Sequence, residues 1–456
     1  MMCEIQLLTF ANHVSNSYTS YKNIVRIAWP IMIGSLAINI INLTDTSFLG
    51  RVGEVELGAS ALAGVFYFVV VIIGWAFNTG MQIIVARRSG ENRIEEIGKV
   101  VDHELMLLMI LSVVQFAVLH FLSPLILDAL VSDDQVRQAA NAFLYWRSFG
   151  IFFGMFNSCC QAFFVGIGKT KVINLTTGIM AAGNLLFAWV LIFGHLSFPA
   201  LGIAGSGMAS TMAEALATIV YIIFIVIRGY KSKYRLWQFA SVQIQQFKSL
   251  FKLSSPIVVQ QLMSIATWFL FFLFIEHMGQ RNLAISNLVR GVYMLCGIPT
   301  WALGSTANSM VSNLIGQGKE KNVLHLIWKI IKGNFVLNTV IALLLVIFPS
   351  ALLGIFTSDV SLIHDAISSL YVIAPTVLLF SCSFIIIYSV TGTGSSRFAL
   401  KMETVCIGLY ILYASVVVYH YHAPLPVLWC AEGLYWLIAI LIGGTFLRYG
   451  KWKKDV

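Results

Sequence analysis

Asp45 is the strongest candidate for a chemical role in this sequence, because it lies in a long apolar segment, within INLTDTSFLGRVGEVELG. Such a segment predicts a membrane-spanning helix, where an unpaired carboxylate costs several kcal/mol. We expect Asp45 to be protonated, paired or bound to a cation during part of a working cycle. The alternative is a structural aspartate held by nearby hydroxyl donors such as Thr44 and Thr46.

Other ionisable residues also fall in or at the ends of apolar segments: Arg147, Glu214, Glu276, His277, Arg290, Glu403 and Glu432. Structural pairing or an approach to the membrane surface would explain the acidic ones, and Lys401 is a candidate partner of Glu403. Arg147 and Arg290 could attract anionic groups or pair with helix carbonyl groups. The residues expected to contact a substrate in a central cavity are Asn78, Asn157, Gln260, Gln261, Arg290 and Glu432.

Motifs of enzymes and of nucleotide sites are absent from the sequence. GIGKTK and GTGSSR do not match the phosphate-binding pattern GxxxxGK[ST], and both lie at the ends of apolar segments. The seven cysteines lack the spacing of a zinc site or a disulfide framework. The sequence therefore predicts no enzyme and no cofactor.

The composition indicates which elements must position these residues. Hydrophobic residues make up 58% of the chain and charged residues 11%, whereas soluble domains have about 25% charged residues. This excludes soluble enzymes, nucleic-acid-binding proteins and disordered scaffolds, and predicts an all-α polytopic membrane protein. Twelve apolar segments reach the length of roughly 20 residues that a spanning helix needs, and their predicted bounds are 28–50, 60–85, 104–128, 141–166, 173–194, 203–227, 256–277, 287–312, 334–356, 368–390, 403–422 and 427–447.

The basic residues predict the orientation of these helices. With the N-terminus placed in the cytoplasm, 24 of the 29 Lys and Arg residues fall on cytoplasmic segments and three on outer loops. Cytoplasmic loops attract basic residues, so both termini are expected inside. This distribution also explains the net charge of +9 without a nucleic-acid partner.

The two halves of the sequence form a repeat at one constant offset, which is the spacing in sequence between Pro30 and Pro256. Further pairs that coincide at this offset are Gly53 with Gly279, Trp75 with Trp301, Gly90 with Gly316, and Gly166 with Gly392. Because each half holds six predicted spans, the halves have the same orientation, with a substrate path expected between them. The predicted organisation is a cytoplasmic N-terminus (1–27), a six-helix lobe (28–228), a cytoplasmic amphipathic linker (229–252), a second six-helix lobe (253–447) and a basic tail (448–456).

The linker has apolar residues at helical spacing, namely Leu236, Ala240, Ile244, Phe247 and Phe251, and all of its charged residues are basic. An amphipathic helix on the anionic cytoplasmic leaflet fits this pattern. A solvated connection with a single helical turn fits it equally well.

Several motifs together resemble the multidrug and toxic compound extrusion (MATE) family. The stretch DTSFLGRVGEVELGASALAG is similar to the first-helix signature of that family. GMQIIVARRSGENR, GIGKTK, GIAGSGMASTMAE, SMVSNLIGQGK, GTGSSR and WCAEGLYW agree with later family segments in order. The resemblance covers essentially the whole chain and implies antiport, in which an organic compound leaves while H⁺ or Na⁺ enters.

The resemblance also implies a cation-coupling cluster of Asp45, Asn184 and Ser210. Where many relatives have a second carboxylate, this sequence has Ala188, and the carboxylates of another branch are replaced by Ser264 and Phe380. A Na⁺ site usually needs more than one negative charge, whereas a proton needs only one carboxyl group. The resemblance therefore favours H⁺, although Asn184 and Ser210 could still help to hold Na⁺.

The favoured function is export of cationic or amphiphilic organic compounds by a monomer in the bacterial inner membrane. One alternative is a flippase for lipid-linked saccharides or lipids, from the same superfamily. Members that handle anionic lipid phosphates are expected to have several basic residues in the cavity, and only Arg147 and Arg290 lie within predicted spans. Another alternative, an intramembrane lipid transferase, would need a cluster of catalytic polar residues at one membrane face.

Overall fold

The computed structural model describes residues 19–239, 242–450 and 452. Within these residues, twelve helices are long and apolar enough to cross a membrane, which confirms the predicted number. We number them α1 (Tyr21–Val52), α2 (Glu54–Gly90), α3 (Ile94–Leu130), α4 (Asp134–Gly166), α5 (Lys171–Phe193), α6 (Gly202–Ile227), α7 (Ile244–His277), α8 (Gln280–Gly316), α9 (Glu320–Ile347), α10 (Val360–Gly392), α11 (Ser396–His420) and α12 (Leu425–Tyr449).

Three of these helices contain turns of another type. A π-helical turn at Val118–Leu122 interrupts α3, a second one at Val416–His420 ends α11, and α9 begins with a 3₁₀ turn at Glu320–Asn322. Two short helices connect longer ones, Tyr230–Tyr234 before α7 and Pro349–Leu353 before α10.

Most helices extend beyond the predicted spans. Examples are α2 and α8, each of 37 residues. Apolar segments mark only the part of a helix that lies in hydrocarbon, whereas the helix continues through polar residues at its ends. In α2 these are Glu54 and Glu56 in the first turn and Arg87 and Arg88 in the last, where their charges oppose the helix dipole favourably.

The described chain divides into two compact units. One is Ile33–Val258, which we call the first unit, and the second unit joins the residues up to Met32 with those from Val259 onward. The two division points lie inside α1 and α7. They are equivalent positions of the sequence repeat, because Ile33 coincides with Val259 at the offset that relates Pro30 to Pro256.

Each unit is a bundle in which corresponding helices pack in the same pairs. In the first unit α2 packs against α3 and α4, α4 packs against α3 and α6, and α5 packs against α6. In the second unit α8 packs against α9 and α10, α10 packs against α9 and α12, and α11 packs against α12. The repeated sequence therefore folds into two six-helix bundles of the same design.

The repeated glycines Gly166 and Gly392 allow close helix packing within each unit. A Cβ atom on Gly392 would lie 2.6 Å from the carbonyl oxygen of Asn308 in α8, and one on Gly166 would lie 2.7 Å from a methyl group of Val85 in α2. Real Cβ atoms essentially never come this close to other heavy atoms. The repeat therefore retains a contact between α4 and α2 in one unit, and between α10 and α8 in the other.

Two aspartates cap the N-termini of corresponding helices. Asp133 accepts hydrogen bonds from the backbone N–H groups of the second and third residues that follow it, at the start of α4. Asp359, its counterpart in the sequence repeat, caps α10 through the backbone N–H groups of Ser361 and Leu362. Hydrogen bonds from Leu362 and Ser361 hold the pKa of the Asp359 carboxyl group below its usual value.

Of the two alternatives for 229–252, the described residues contradict the amphipathic helix and agree with a connection that contains a short helical turn. The short helix ends at Tyr234, and Arg235, Trp237 and Phe239 have positive φ angles, which a continuous right-handed helix does not allow. The carboxylate of Asp102 in α3 accepts the backbone N–H groups of Trp237, Gln238 and Phe239 at 2.7–3.2 Å. This buried anion anchors the connection on α3, and the helical pattern resumes only at Ile244.

Parts of three sequence predictions lie outside the described residues. They are residues 1–18 of the predicted N-terminal segment, Ala240 of the apolar stripe in the linker, and Lys451, Lys453 and Lys454 of the basic tail. The adjoining Phe247 and Phe251 belong to α7. Phe251 packs on Phe77 at 5.2 Å between ring centroids, and Phe247 packs on His103 at 5.0 Å.

Candidate functional site in the first unit

The structure brings together Asp45, Asn184 and Ser210, from α1, α5 and α6. The Ser210 hydroxyl group donates to Asp45 Oδ2 at 3.3 Å, and Asn184 Nδ2 donates to Ser210 Oγ at 3.2 Å. Ala188, one turn beyond Asn184, is fully buried and supplies no polar group. The half-buried carboxyl group thus faces a hydroxyl group and, beyond it, an amide group.

Two oxygen atoms of this cluster have no donor. Asp45 Oδ1 and Asn184 Oδ1 are buried and make no hydrogen bond within the described part of the chain. Both atoms are acceptors when Asp45 is ionised, and a proton on the carboxyl group would supply a donor at this place. The Thr46 hydroxyl group donates to Asn42 O at 2.8 Å, so that bond is not available to Asp45.

A cavity of about 150 Å³ lies within the first unit. Apolar and aromatic residues form much of its wall, including Ile38, Trp75, Met155, Met180 and Tyr221, and the polar residues that line it are Tyr67, Arg147, Asn157, Ser158, Gln161, Thr176, Thr177 and Glu214. Sites for small molecules commonly combine apolar walls with a few polar groups in this way.

Of the predicted substrate contacts in the first unit, Asn157 lines this cavity and Asn78 does not. Asn157 lines it and is fixed on both sides, because its Nδ2 donates to Glu214 O at 2.9 Å and its Oδ1 accepts from Thr218 at 2.9 Å. Asn78 is buried behind the wall and donates to Ser158 Oγ at 2.8 Å.

Arg147 and Glu214 form a buried ion pair in the cavity wall. The Arg147 Nη1–Glu214 Oε2 distance is 2.8 Å and the Nη2–Oε1 distance is 2.6 Å, so the pair is bidentate. The Arg147 guanidinium group also lies 4.2 Å from the centroid of the Tyr67 ring. Arg147 therefore pairs with a carboxylate from α6, rather than with the helix carbonyl groups considered from the sequence.

The second unit holds two further buried carboxyl groups. Glu403 accepts from Ser264 at 2.8 Å, from Tyr435 at 2.6 Å and from Gln260 at 3.3 Å. The suggested pairing with Lys401 is wrong, because residues two apart on a helix do not face each other.

Glu432, in α12, is held by two phenol groups. It accepts from Tyr410 at 3.0 Å and from Tyr293 at 3.4 Å. Phe380 packs on Trp436 with 4.8 Å between ring centroids, and the Trp436 indole N–H in turn donates to Tyr293.

The other predicted residues of the second unit are spread over it. Arg290 is exposed, with its guanidinium group 4.9 Å from the Phe272 ring centroid, and Gln261 is half-buried. Glu276 and His277 are exposed at the end of α7. Phe271, at the position that corresponds to Asp45, is fully buried against Trp429 with 5.1 Å between ring centroids.

Sequence reasoning noticed Arg147 and Glu214 but did not pair them. They are 67 positions apart in the sequence, and no local pattern reports a contact over that distance. One signal was available, because the repeat places Ile373 and Ile440 at the corresponding positions of the second half. Two opposite charges that are both absent from the second half indicate a feature specific to the first half.

The comparisons with known proteins agree with this architecture. A model of the MatE family matches residues 30–190 and again residues 256–416, so the two matched segments begin at the repeated prolines Pro30 and Pro256. A protein of Pasteurella multocida named "Probable multidrug resistance protein NorM" is 23% identical over 367 residues, which cover 78% of each chain.

Solved structures show the same fold. An outward-facing multidrug resistance MATE family transporter superposes with a TM-score of 0.88 at 17% identity, covering 97% of this chain and 99% of the other. The Vibrio cholerae MATE transporter VcmN superposes with a TM-score of 0.87 at 16% identity, covering 96% and 99%.

Together with these matches, the twelve apolar helices of the described residues identify a multi-pass membrane transporter for small molecules, and not an enzyme. The chain belongs to the MatE family, which the two matched segments show. The predicted family and fold class are thereby confirmed.

Proposed function

We propose that the chain is a secondary antiporter that exports cationic or amphiphilic organic compounds in exchange for H⁺, with Asp45 as the coupling carboxylate. The observation that supports this most strongly is the pair of buried acceptors, Asp45 Oδ1 and Asn184 Oδ1, which lack donors. Burial of a carboxyl group without a hydrogen-bond donor favours its protonated form over its ionised form.

The composition of the cluster favours H⁺ over Na⁺. A Na⁺ ion is usually held by several oxygen atoms and more than one negative charge, and here Asp45 is the sole carboxylate beside Asn184 and Ser210. A single proton on Asp45 needs no further charge. The experiment below distinguishes coupling to Na⁺ from coupling to H⁺.

Coupling follows from the hydrogen bonds that the charge of Asp45 controls. Protonation removes the negative charge that Ser210 and Asn184 face in the ionised state, so their hydrogen bonds change and α1 repacks against α5 and α6. The repacking reduces the cavity of the first unit and weakens substrate binding. By linkage, a bound substrate then favours the ionised carboxylate. The parallel repeat further supports alternating access between the two sides of the membrane.

A flippase for lipid-linked saccharides receives less support. Recognition of a lipid phosphate requires a basic side chain that is not already neutralised. Among the residues that line the cavity, the one basic side chain is Arg147, and Glu214 already neutralises it. The low charge of the wall instead suits an organic cation or an amphiphile.

The proposal includes a bacterial inner-membrane location and a monomer, with both termini in the cytoplasm. The distribution of 24 basic residues on one side and three on the other supports this orientation. The bacterial relative of Pasteurella multocida supports the location.

Ethidium efflux from proteoliposomes tests this function, driven separately by a proton gradient and by a Na⁺ gradient. We expect efflux with the proton gradient, no efflux with Na⁺ alone, and loss of efflux in Asp45→Asn. The matched control is Asp128→Asn, which removes an exposed acid from the same unit. Wild-type efflux by Asp45→Asn would exclude Asp45 as the coupling residue, and efflux with Na⁺ alone would replace H⁺ by Na⁺.

A further inference from the structure

The wall of the cavity in the first unit contains the Arg147–Glu214 pair but not Asp45. Arg147 and Glu214 line the cavity, whereas Asp45 is not among its lining residues. A compound bound there therefore contacts the ion pair rather than Asp45. If Asp45 controls binding, another group has to transmit its charge state to the cavity.

Helix α6 connects the two sites directly. Ser210 donates to Asp45, and Glu214, four residues later on the same helix face, binds Arg147. Four residues rise by about 6 Å along a helix. The charge of Arg147 interacts with that of Asp45 as well as with that of Glu214, so the guanidinium group is attracted towards both carboxylates.

A glycine on α4 provides the space that the pair occupies. A Cβ atom on Gly150 would lie 2.5 Å from Arg147 Nη1 and 2.8 Å from Glu214 Oε2. The backbone of α4 at this turn therefore accommodates the side chains of the pair, and a larger residue at position 150 would displace them.

We propose that Glu214 is the cation-binding carboxylate of the cavity and that Arg147 is a positioning residue that exposes or masks it according to the charge of Asp45. With Asp45 protonated, Arg147 stays bidentate on Glu214, as in this structure, and the cavity holds no free anion. With Asp45 ionised, the guanidinium group moves towards Asp45, and Glu214 becomes available to a positively charged substrate.

This inference rests on the proposed function and extends it to the substrate class, an organic cation with an aromatic or apolar body. Glu214 would bind the positive charge, and the cavity wall around it, including Trp75, Met155 and Tyr221, suits the remainder of such a molecule. The titratable and charged groups around Arg147 are Asp45 from α1, Tyr67 from α2, His120 from α3, which contacts the adjoining Ser148, and Glu214 from α6.

A double-mutant cycle on ethidium binding at about pH 8 tests the transmission through Arg147. Purified full-length protein in nanodiscs is used, and the Kd for ethidium is measured by fluorescence. In the wild-type background, Asp45→Asn should weaken binding about tenfold, because Arg147 then stays on Glu214. In the Arg147→Gln background, Asp45→Asn should change the Kd less than about twofold, since nothing masks Glu214.

The outcomes separate this inference from the proposed function. If Asp45→Asn weakens binding equally in both backgrounds, the role of Arg147 is wrong, while Asp45 keeps its coupling role. If Asp45→Asn leaves binding unchanged in the wild-type background, the proposed function itself fails. Glu214→Gln should weaken binding about tenfold at this pH, and wild-type binding by that variant would overturn the assignment of Glu214.

A neutral double variant covers the case in which Arg147→Gln does not fold, because it leaves no buried charge unpaired. Arg147→Gln with Glu214→Gln should bind ethidium at least about tenfold more weakly than wild type, with no further effect of Asp45→Asn. Wild-type affinity in this variant, or an unchanged response to Asp45→Asn, would contradict the inference.

Discussion

Removal of one partner of the Arg147–Glu214 pair should destabilise the first unit strongly. The side chains are only 13% and 16% exposed, and both guanidinium-to-carboxylate bonds are shorter than 3 Å. Breaking such a buried pair leaves an uncompensated charge and costs about 3–5 kcal/mol. With a shift of about 2–4 °C per kcal/mol, Glu214→Gln should lower the melting temperature by about 6–20 °C.

Tryptophan fluorescence during thermal unfolding in detergent measures this effect. The double variant Arg147→Gln with Glu214→Gln should recover most of the loss, because two amide groups of similar size carry no unpaired charge. Asp365→Asn is the control, since the pair of Asp365 with Arg281 is exposed and should contribute about 1 kcal/mol or less. A single variant at Arg147 or Glu214 that melts with the wild type would refute the reasoning.

Three further expectations concern packing, helix capping and orientation. Gly392→Ala should lower the free energy of unfolding by about 1–3 kcal/mol through overpacking. Gly408→Ala, with no atom within 4 Å of the new Cβ, should be neutral or stabilising. Equal melting temperatures of the two variants would contradict this expectation. Asp359→Asn should lower the melting temperature at neutral pH and match the wild type in acid. The reason is the depressed pKa of Asp359: its carboxylate contributes its full stabilisation above about pH 4, and this stabilisation is lost as the pH falls through the folded-state pKa. A constant difference in melting temperature across pH would count against the cap. Lys233→Cys should resist impermeant thiol reagents on intact cells, and strong labelling from outside would reverse the orientation.

Two features of the sequence, the length of its apolar segments and its internal repeat, predict most of the fold. The thickness of the hydrocarbon core sets the length of each apolar segment, and the constant offset between matching residues reports the repeat without a structure. Gly166 and Gly392 are one such matching pair, because a Cβ atom on either glycine would lie too close to an atom of a neighbouring helix in its own unit. The linker could not be predicted in the same way, because the anchor Asp102 lies 135 residues before Trp237.

Part of the candidate site could likewise be predicted from the sequence, and part could not. Asp45 stands out because a carboxyl group in an apolar segment is costly, and the family resemblance adds Asn184 and Ser210. The contact of Asp45 with Ser210 spans 165 residues, so no local periodicity could report it. The pairing of Arg147 with Glu214 is a long-range contact of the same kind, and no motif includes both residues.

The most direct test of the central claim is proton release by detergent-solubilised protein when ethidium is added in weakly buffered, Na⁺-free solution. The account predicts that wild-type protein releases protons on binding, because the substrate favours ionised Asp45, and that Asp45→Asn releases none. A wild-type protein that binds ethidium without releasing protons, or an Asp45→Asn variant that releases as many as the wild type, would contradict the account.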